Sequence, residues 1–206
     1  MDARTCRHYW HKLESALWIA GAALLVTYLA IRIDATWGSE RDLSRLDVSS
    51  PPDVSTWSSS RVQAYQASAL VETDPLIGVV EIPAVGLQVP LYSDTSELHL
   101  NRGAGLIPGM ARPGSTGNIG VAGHRDGYFR SLRNVKVGEI IDVRTRGARY
   151  RYRISSVAVV ASTDARLLGP TARPAITLVT CYPFYFVGNA PQRFVVRGVL
   201  VHSEET

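Results

Sequence analysis

The chain has 206 residues, of which 46% are hydrophobic and 19% charged, with a formal net charge of +4 and two cysteines. That length suits one ordinary domain plus accessory segments. The composition excludes a collagen, a disordered chain and a disulfide-rich miniprotein.

A mean hydropathy of +0.02 is high for a moderately charged chain, and the apolar excess is concentrated near the N-terminus. Ser15 to Ile31 reads SALWIAGAALLVTYLAI, seventeen residues without a charge. As a helix this run covers about 25 Å of a hydrocarbon core roughly 30 Å thick, enough to span once its flanks snorkel. Trp18 and Tyr28 sit near its ends, where amphipathic rings favour the interface. A buried core helix would show a periodic polar face, and none is present. A cleaved signal peptide would be followed by a small-residue site, whereas here Arg32, Ile33 and Asp34 follow. The expected organisation is a cytoplasmic head (1–14), a transmembrane anchor (15–33) and an exported remainder. Arg4, Arg7 and Lys12 in the head give the bias its sign. On that topology Cys6 and Cys181 lie on opposite sides of the membrane and cannot pair.

Residues 34–73 are a poor core. Six of the twelve residues in Ser49–Ser60 are serine, and Pro51-Pro52 interrupts them, so the segment reads as a stalk. Stretches within Glu40–Asp47 or Arg61–Val71 could be helical.

From Asp74 the pattern becomes β-type. Ile77–Ile82 and Leu87–Tyr92 flank a Pro-Ala-Val-Gly turn, and Asn118–Gly123 is a further short run. Glu139–Arg144 and Arg149–Val160 flank Gly147 as a hairpin, and Ala175–Cys181 and Arg193–His202 complete seven or eight strands. Helical turns are expected near Ser96–Asn101, Phe129–Asn134 and Ala165–Leu168. Short strands at this spacing predict a closed or sandwich-like β fold. Arg144, Arg146, Arg149, Arg151 and Arg153 crowd one hairpin. They read as the solvated, charge-protected face of an edge hairpin rather than as a site for an anionic polymer.

Three segments could carry chemistry. His124 lies in Ala122-Gly-His-Arg-Asp-Gly127, where a strand ends in a turn. Cys181 ends the apolar strand Thr177-Leu-Val-Thr-Cys181, and Arg193 opens the next strand. Cys181 taken alone is either a small buried hydrophobe or a reactive thiol. Acyl transfer needs a nucleophile, a proton donor for the leaving amine and a positive group for the oxyanion. Cysteine, histidine and arginine at strand ends can meet those needs. Asp126 reads as a turn residue pairing with Arg125 or a backbone N–H. The aromatic cluster Tyr182, Phe184, Tyr185 and Phe186 fits either a groove wall or core packing.

Taken together these residues resemble the sortases. The resemblance is carried by the Thr-Leu-Val-Thr-Cys run, Arg193 twelve residues after the cysteine, and His124 in Gly-His-Arg-Asp. Asn118–Asp126, Phe129–Asn134, Val137-Gly-Glu139 and Cys181-Tyr-Pro-Phe184 are similar to the class D type. The resemblance spans about 74–202. It implies a mostly β fold: an eight-stranded sortase-type β-barrel with short helices, after a single N-terminal transmembrane helix. It also implies cysteine transpeptidation. Cys181 would attack an LPxTG-like sorting signal, His124 would move protons, and Arg193 would hold substrate and oxyanion. Thr180 would help position the substrate. A cell-wall or pilin amine would resolve the thioacyl enzyme.

No zinc spacing, EF-hand loop or nucleotide loop occurs, so no metal or other cofactor is expected, and export together with the solvated reading of the basic hairpin leaves no nucleic-acid partner expected. A thiol peptidase hydrolysing the same signal, or a non-catalytic anchored barrel, are the alternative readings.

Overall fold

The computed structural model describes residues 18, 21, 25, 26, 52–71, 76–185 and 190–205. The chain divides into one unit within 1–45 and a second within 46–206. In the first, Trp18, Gly21, Leu25 and Val26 are helical and exposed. Among the described residues no helix is long and apolar enough to cross a membrane. The rest of the expected anchor, the head and Cys6 lie outside the described residues.

The second unit is a closed eight-stranded barrel. Its strands are β1 (Gly78–Ile82), β2 (Leu87–Tyr92), β3 (Ala104–Leu106), β4 (Asn118–Gly123), β5 (Ile140–Thr145), β6 (Ala148–Ala161), β7 (Ala175–Tyr182) and β8 (Gln192–Glu205). Around the barrel they run β1-β2-β3-β4-β7-β8-β6-β5. The sequence pattern had marked every strand except β3, which is too short at three residues to show alternation. Helix α1 (Ser59–Ala69) precedes the barrel, and α2 (Glu97–Arg102) lies between β2 and β3.

Strand alternation builds the core. Val80 and Ile82, Leu87, Val89 and Leu91, Ile119 and Val121, Ile141 and Val143, Tyr152 and Ile154, Ile176 and Leu178, and Phe194 and Val196 all enter one cluster. Each such side chain contributes about 1.5–3 kcal/mol relative to exposure. Phe129 and Leu132, from the 3-10 turn Tyr128–Asn134, are fully buried in the same cluster. The positions between these point outward, which is where the side chains with chemistry emerge.

The basic hairpin is not an edge. Barrel closure pairs β6 with both β5 and β8. Three of its arginines are woven into a ladder of mixed charge. Arg144 grips Glu81 through two nitrogens, at 2.7 and 3.0 Å. Arg149 and Arg151 both bind the buried Asp142, at 2.8 and 3.1 Å. Cross-strand pairing of Glu81, Asp142 and Arg151 explains the neutralisation.

The serine-rich segment is not wholly an extended stalk. Ser58 caps α1 by accepting from Arg61 N at 3.3 Å. Arg102 of α2 donates to Ser68 O and Val71 O at the C-terminal end of α1. Trp57 stacks edge-on against Tyr65 and Tyr128, with centroids 5.7 and 5.0 Å apart. These long-range contacts hold α1 on the barrel although its own sequence is polar.

Candidate active site

β7 and β8 run antiparallel, and Cys181 and Arg193 are direct cross-strand partners. Facing residues of such a pair have Cβ atoms about 4.5–5.5 Å apart on the same side of the sheet. Their inward neighbours are Thr180 and Phe194, which also face each other. Alternation therefore turns the thiol and the guanidinium together to the outer face. Cys181 is half-buried and free. Arg193 Nη1 donates to Ala190 O at 3.1 Å and Gln192 O at 3.0 Å, which anchors the guanidinium to the start of β8.

β4 lies on the other side of β7, parallel to it, with Ala122 opposite Val179. Thr180 Oγ1 donates to Gly123 O at 2.7 Å. This bond fastens the last residue of β4 to the strand position just before the cysteine. His124 follows immediately and begins a turn closed by Gly127 N donating to His124 O at 3.3 Å. A Cβ on Gly123 would sit 2.8 Å from the Phe129 ring, so only glycine lets that ring pack beneath the turn. Thus three segments distant in sequence bring His124, Cys181 and Arg193 to one end of three neighbouring strands.

The Thr180 side chain is engaged within the barrel. It is 3% exposed, and its hydroxyl is committed to Gly123 O. Because it alternates with Cys181 it faces the barrel interior, where its side chain ties β7 to the end of β4. The Thr180→Val variant keeps the shape and removes the bond. An expected cost of about 1–2 kcal/mol follows from leaving Gly123 O without its partner. A lowered thermal midpoint and slower transfer would be the readout.

The His124 ring is 24% exposed, and its Nε2 lies 3.5 Å from Glu97 Oε1, too far for a strong hydrogen bond. Burial holds the imidazole below its ordinary value of 6.5, and the positive charge of Arg61 acts in the same direction. Glu97 and Asp126 push the other way and are outweighed. His124 is therefore mainly neutral at pH 7.

Asp126 has partners at the start of α1. It accepts from Arg61 Nε at 3.1 Å and from Ser58 Oγ at 3.3 Å. The aromatic run divides as well. Phe184 packs into the core against Tyr182 and Phe194. Tyr185 is exposed, and Arg130 and Arg133 lie over its ring at 5.0 and 5.6 Å. Phe186 lies outside the described residues. A cavity of ≈ 290 Å³ between Trp57, Gly127, Tyr128 and Arg130 adjoins the histidine turn but does not include Cys181. Among the described residues no three His, Cys, Asp or Glu side chains converge as metal ligands. Sequence reasoning missed the parts played by Arg61, Ser58 and Glu97. The Arg61–Asp126 contact spans 65 positions and leaves no local signal.

A closed barrel that presents a thiol beside a guanidinium, with a histidine on the adjoining strand end, is the architecture of a cysteine-dependent acyl-transfer enzyme. The Sortase domain model matches residues 80–201, more than half of the chain, which therefore belongs to the sortase family of cysteine transpeptidases. The chain is 29% identical to Sortase D of Bacillus subtilis (strain 168) over 185 residues, covering 87% of this chain and 93% of that protein. The crystal structure of Listeria monocytogenes sortase A superposes with a TM-score of 0.59 at 25% identity, covering 65% of this chain and 92% of that one. Streptococcus pneumoniae sortase C, studied for its catalysis and pilin substrate specificity, gives a TM-score of 0.58 at 25% identity, covering 74% and 94%.

Proposed function

We propose that this protein is a membrane-anchored sortase in which Cys181, His124 and Arg193 are the catalytic residues. It cleaves an LPxTG-like sorting signal and passes the acyl group to an amine of the cell envelope or a pilin. The observation that carries this reading is the cross-strand pairing of Cys181 with Arg193. His124 is held at the end of the next strand by the Thr180–Gly123 bond.

Neutral His124 takes the proton of the Cys181 thiol and becomes the imidazolium. The thiolate adds to the scissile carbonyl carbon, and the Arg193 guanidinium stabilises the resulting oxyanion. The C–N bond then breaks, the leaving nitrogen takes the proton from His124, and a thioester remains. The incoming amine attacks that thioester and gives its proton to His124. Collapse forms the new amide and expels the thiolate, which recovers a proton from His124.

The apolar run 15–31, with its arginine-flanked head, supports an N-terminal anchor with the head in the cytoplasm and the barrel outside. Such a chain stays in the membrane fraction under alkaline carbonate. Release into the supernatant would count against the anchor.

The enzymatic reading is tested by incubating the full chain in detergent with LPxTG-type peptides, with and without an amine acceptor, under mass spectrometry. A thioacyl adduct on Cys181 and an amine-dependent product are expected. Hydrolysis alone would mark the protein as a thiol peptidase, and the absence of any adduct would leave it a binding module.

A further inference from the structure

The helix that precedes the barrel contributes to the site. We propose that Arg61 is a positioning residue for His124, tying the histidine turn to both α1 and α2. The proposal rests on the reading of His124 as the proton-transfer residue.

Arg61 lies at the start of α1, outside the barrel and outside the 80–201 region that the Sortase domain model matches. Its guanidinium makes a two-way bridge. Nε donates to Asp126 Oδ1 at 3.1 Å, and Nη1 donates to Asn101 Oδ1. Asp126 stands two residues after His124, in the turn that His124 begins. Asn101 lies in α2, one helical turn from Glu97, whose carboxylate faces His124 Nε2. Ser58, the cap of α1, adds a second bond to Asp126 at 3.3 Å. The Arg61 side chain also runs along the turn, with its Cδ 3.6 Å from where a Cβ on Gly127 would stand. One side chain thus joins the turn carrying the imidazole to the helix carrying the nearest carboxylate.

Its placement matches its chemistry. Arg61 is 15% exposed and Asp126 31% exposed, so the pair is less screened than an ordinary surface bridge. The planar fork can bind a carboxylate and an amide at once, which a lysine ammonium does with less directional control. The charged groups that act on His124 are Arg61 from α1, Glu97 from α2 and Asp126 from its own turn; Arg125 belongs to the same turn, and the titratable Cys181 and Arg193 stand at the neighbouring strand ends. Arg61 and Asp126 act on the imidazole with opposite sign.

The test is NMR titration of His124 in the full chain in detergent, together with transfer kinetics, for Arg61→Ala, Arg61→Lys and Asp126→Asn. Arg61→Ala is expected to raise the His124 midpoint, because a nearby positive charge is lost. Asp126→Asn is expected to lower it, because the opposing negative charge is lost. Arg61→Lys keeps the charge and holds the midpoint near that of the parent. Both Arg61 variants should lose kcat, Arg61→Ala by roughly tenfold to a hundredfold, with KM nearly constant, as expected when a reacting group is misplaced.

A helix that served only for stability would move the thermal midpoint of unfolding without these opposite titration shifts. An unchanged His124 midpoint in Arg61→Ala, or unchanged kcat, would overturn the proposal. Full transfer activity in His124→Ala would instead defeat the underlying reading of the site. The titration shifts would still decide whether Arg61 acts on His124.

Discussion

Replacing Cys181 with alanine is expected to abolish thioester formation, with no adduct and no transfer product above background. The sulfur is the nucleophile of the proposed mechanism, and nucleophile loss in comparable acyl-transfer sites removes on the order of 10⁶-fold in kcat. The fold should survive. Cys181 is half-buried at a strand end, so the lost sulfur costs about 1 kcal/mol or less. An unaltered circular dichroism spectrum with a dead enzyme is the expected pair of results. Residual acyl transfer at the parental rate would remove Cys181 from the mechanism.

Arg193→Lys is the second large effect. Lysine keeps the positive charge but not the planar fork. In the parent, Nη1 is tied to Ala190 O and Gln192 O, so the rest of the guanidinium is held in a fixed orientation beside the thiol. A flexible ammonium satisfies the same carbonyls only by withdrawing from the oxyanion. Loss of one such donor costs about 10²–10³ in kcat. Single-turnover acylation followed by mass spectrometry isolates the step, because the oxyanion forms as the thioester is made. A rate equal to that of the parent would assign oxyanion stabilisation elsewhere.

pH enters through His124. Burial and Arg61 depress its folded-state value below 6.5, so the unfolded chain binds this proton more readily than the folded one. The sign follows by linkage: stability from this group is present above about pH 6.5 and is lost as pH falls below that unfolded value. In the proposed mechanism a neutral imidazole takes the thiol proton before it protonates the leaving amine.

The sequence by itself determined most of the barrel. Period-two runs such as Leu87, Val89 and Leu91, or Ile176 and Leu178, can bury a face only as strands, and the ladder follows them. It also placed His124, Cys181 and Arg193 at strand ends, because each borders a glycine-rich turn, a proline or a loop. Tertiary structure decided what those positions mean. Parity alone could not say that Thr180 turns inward while Cys181 turns outward, since that depends on which face the closed barrel buries. The arginines of β6 looked like a free basic face, and only the register with Asp142 shows Arg149 and Arg151 paired. The polar helix α1 has no apolar face to announce its docking. Its attachment depends on Arg61, Arg102 and Trp57 reaching partners tens of residues away, and contacts at that separation are set by the folded chain rather than by any local pattern.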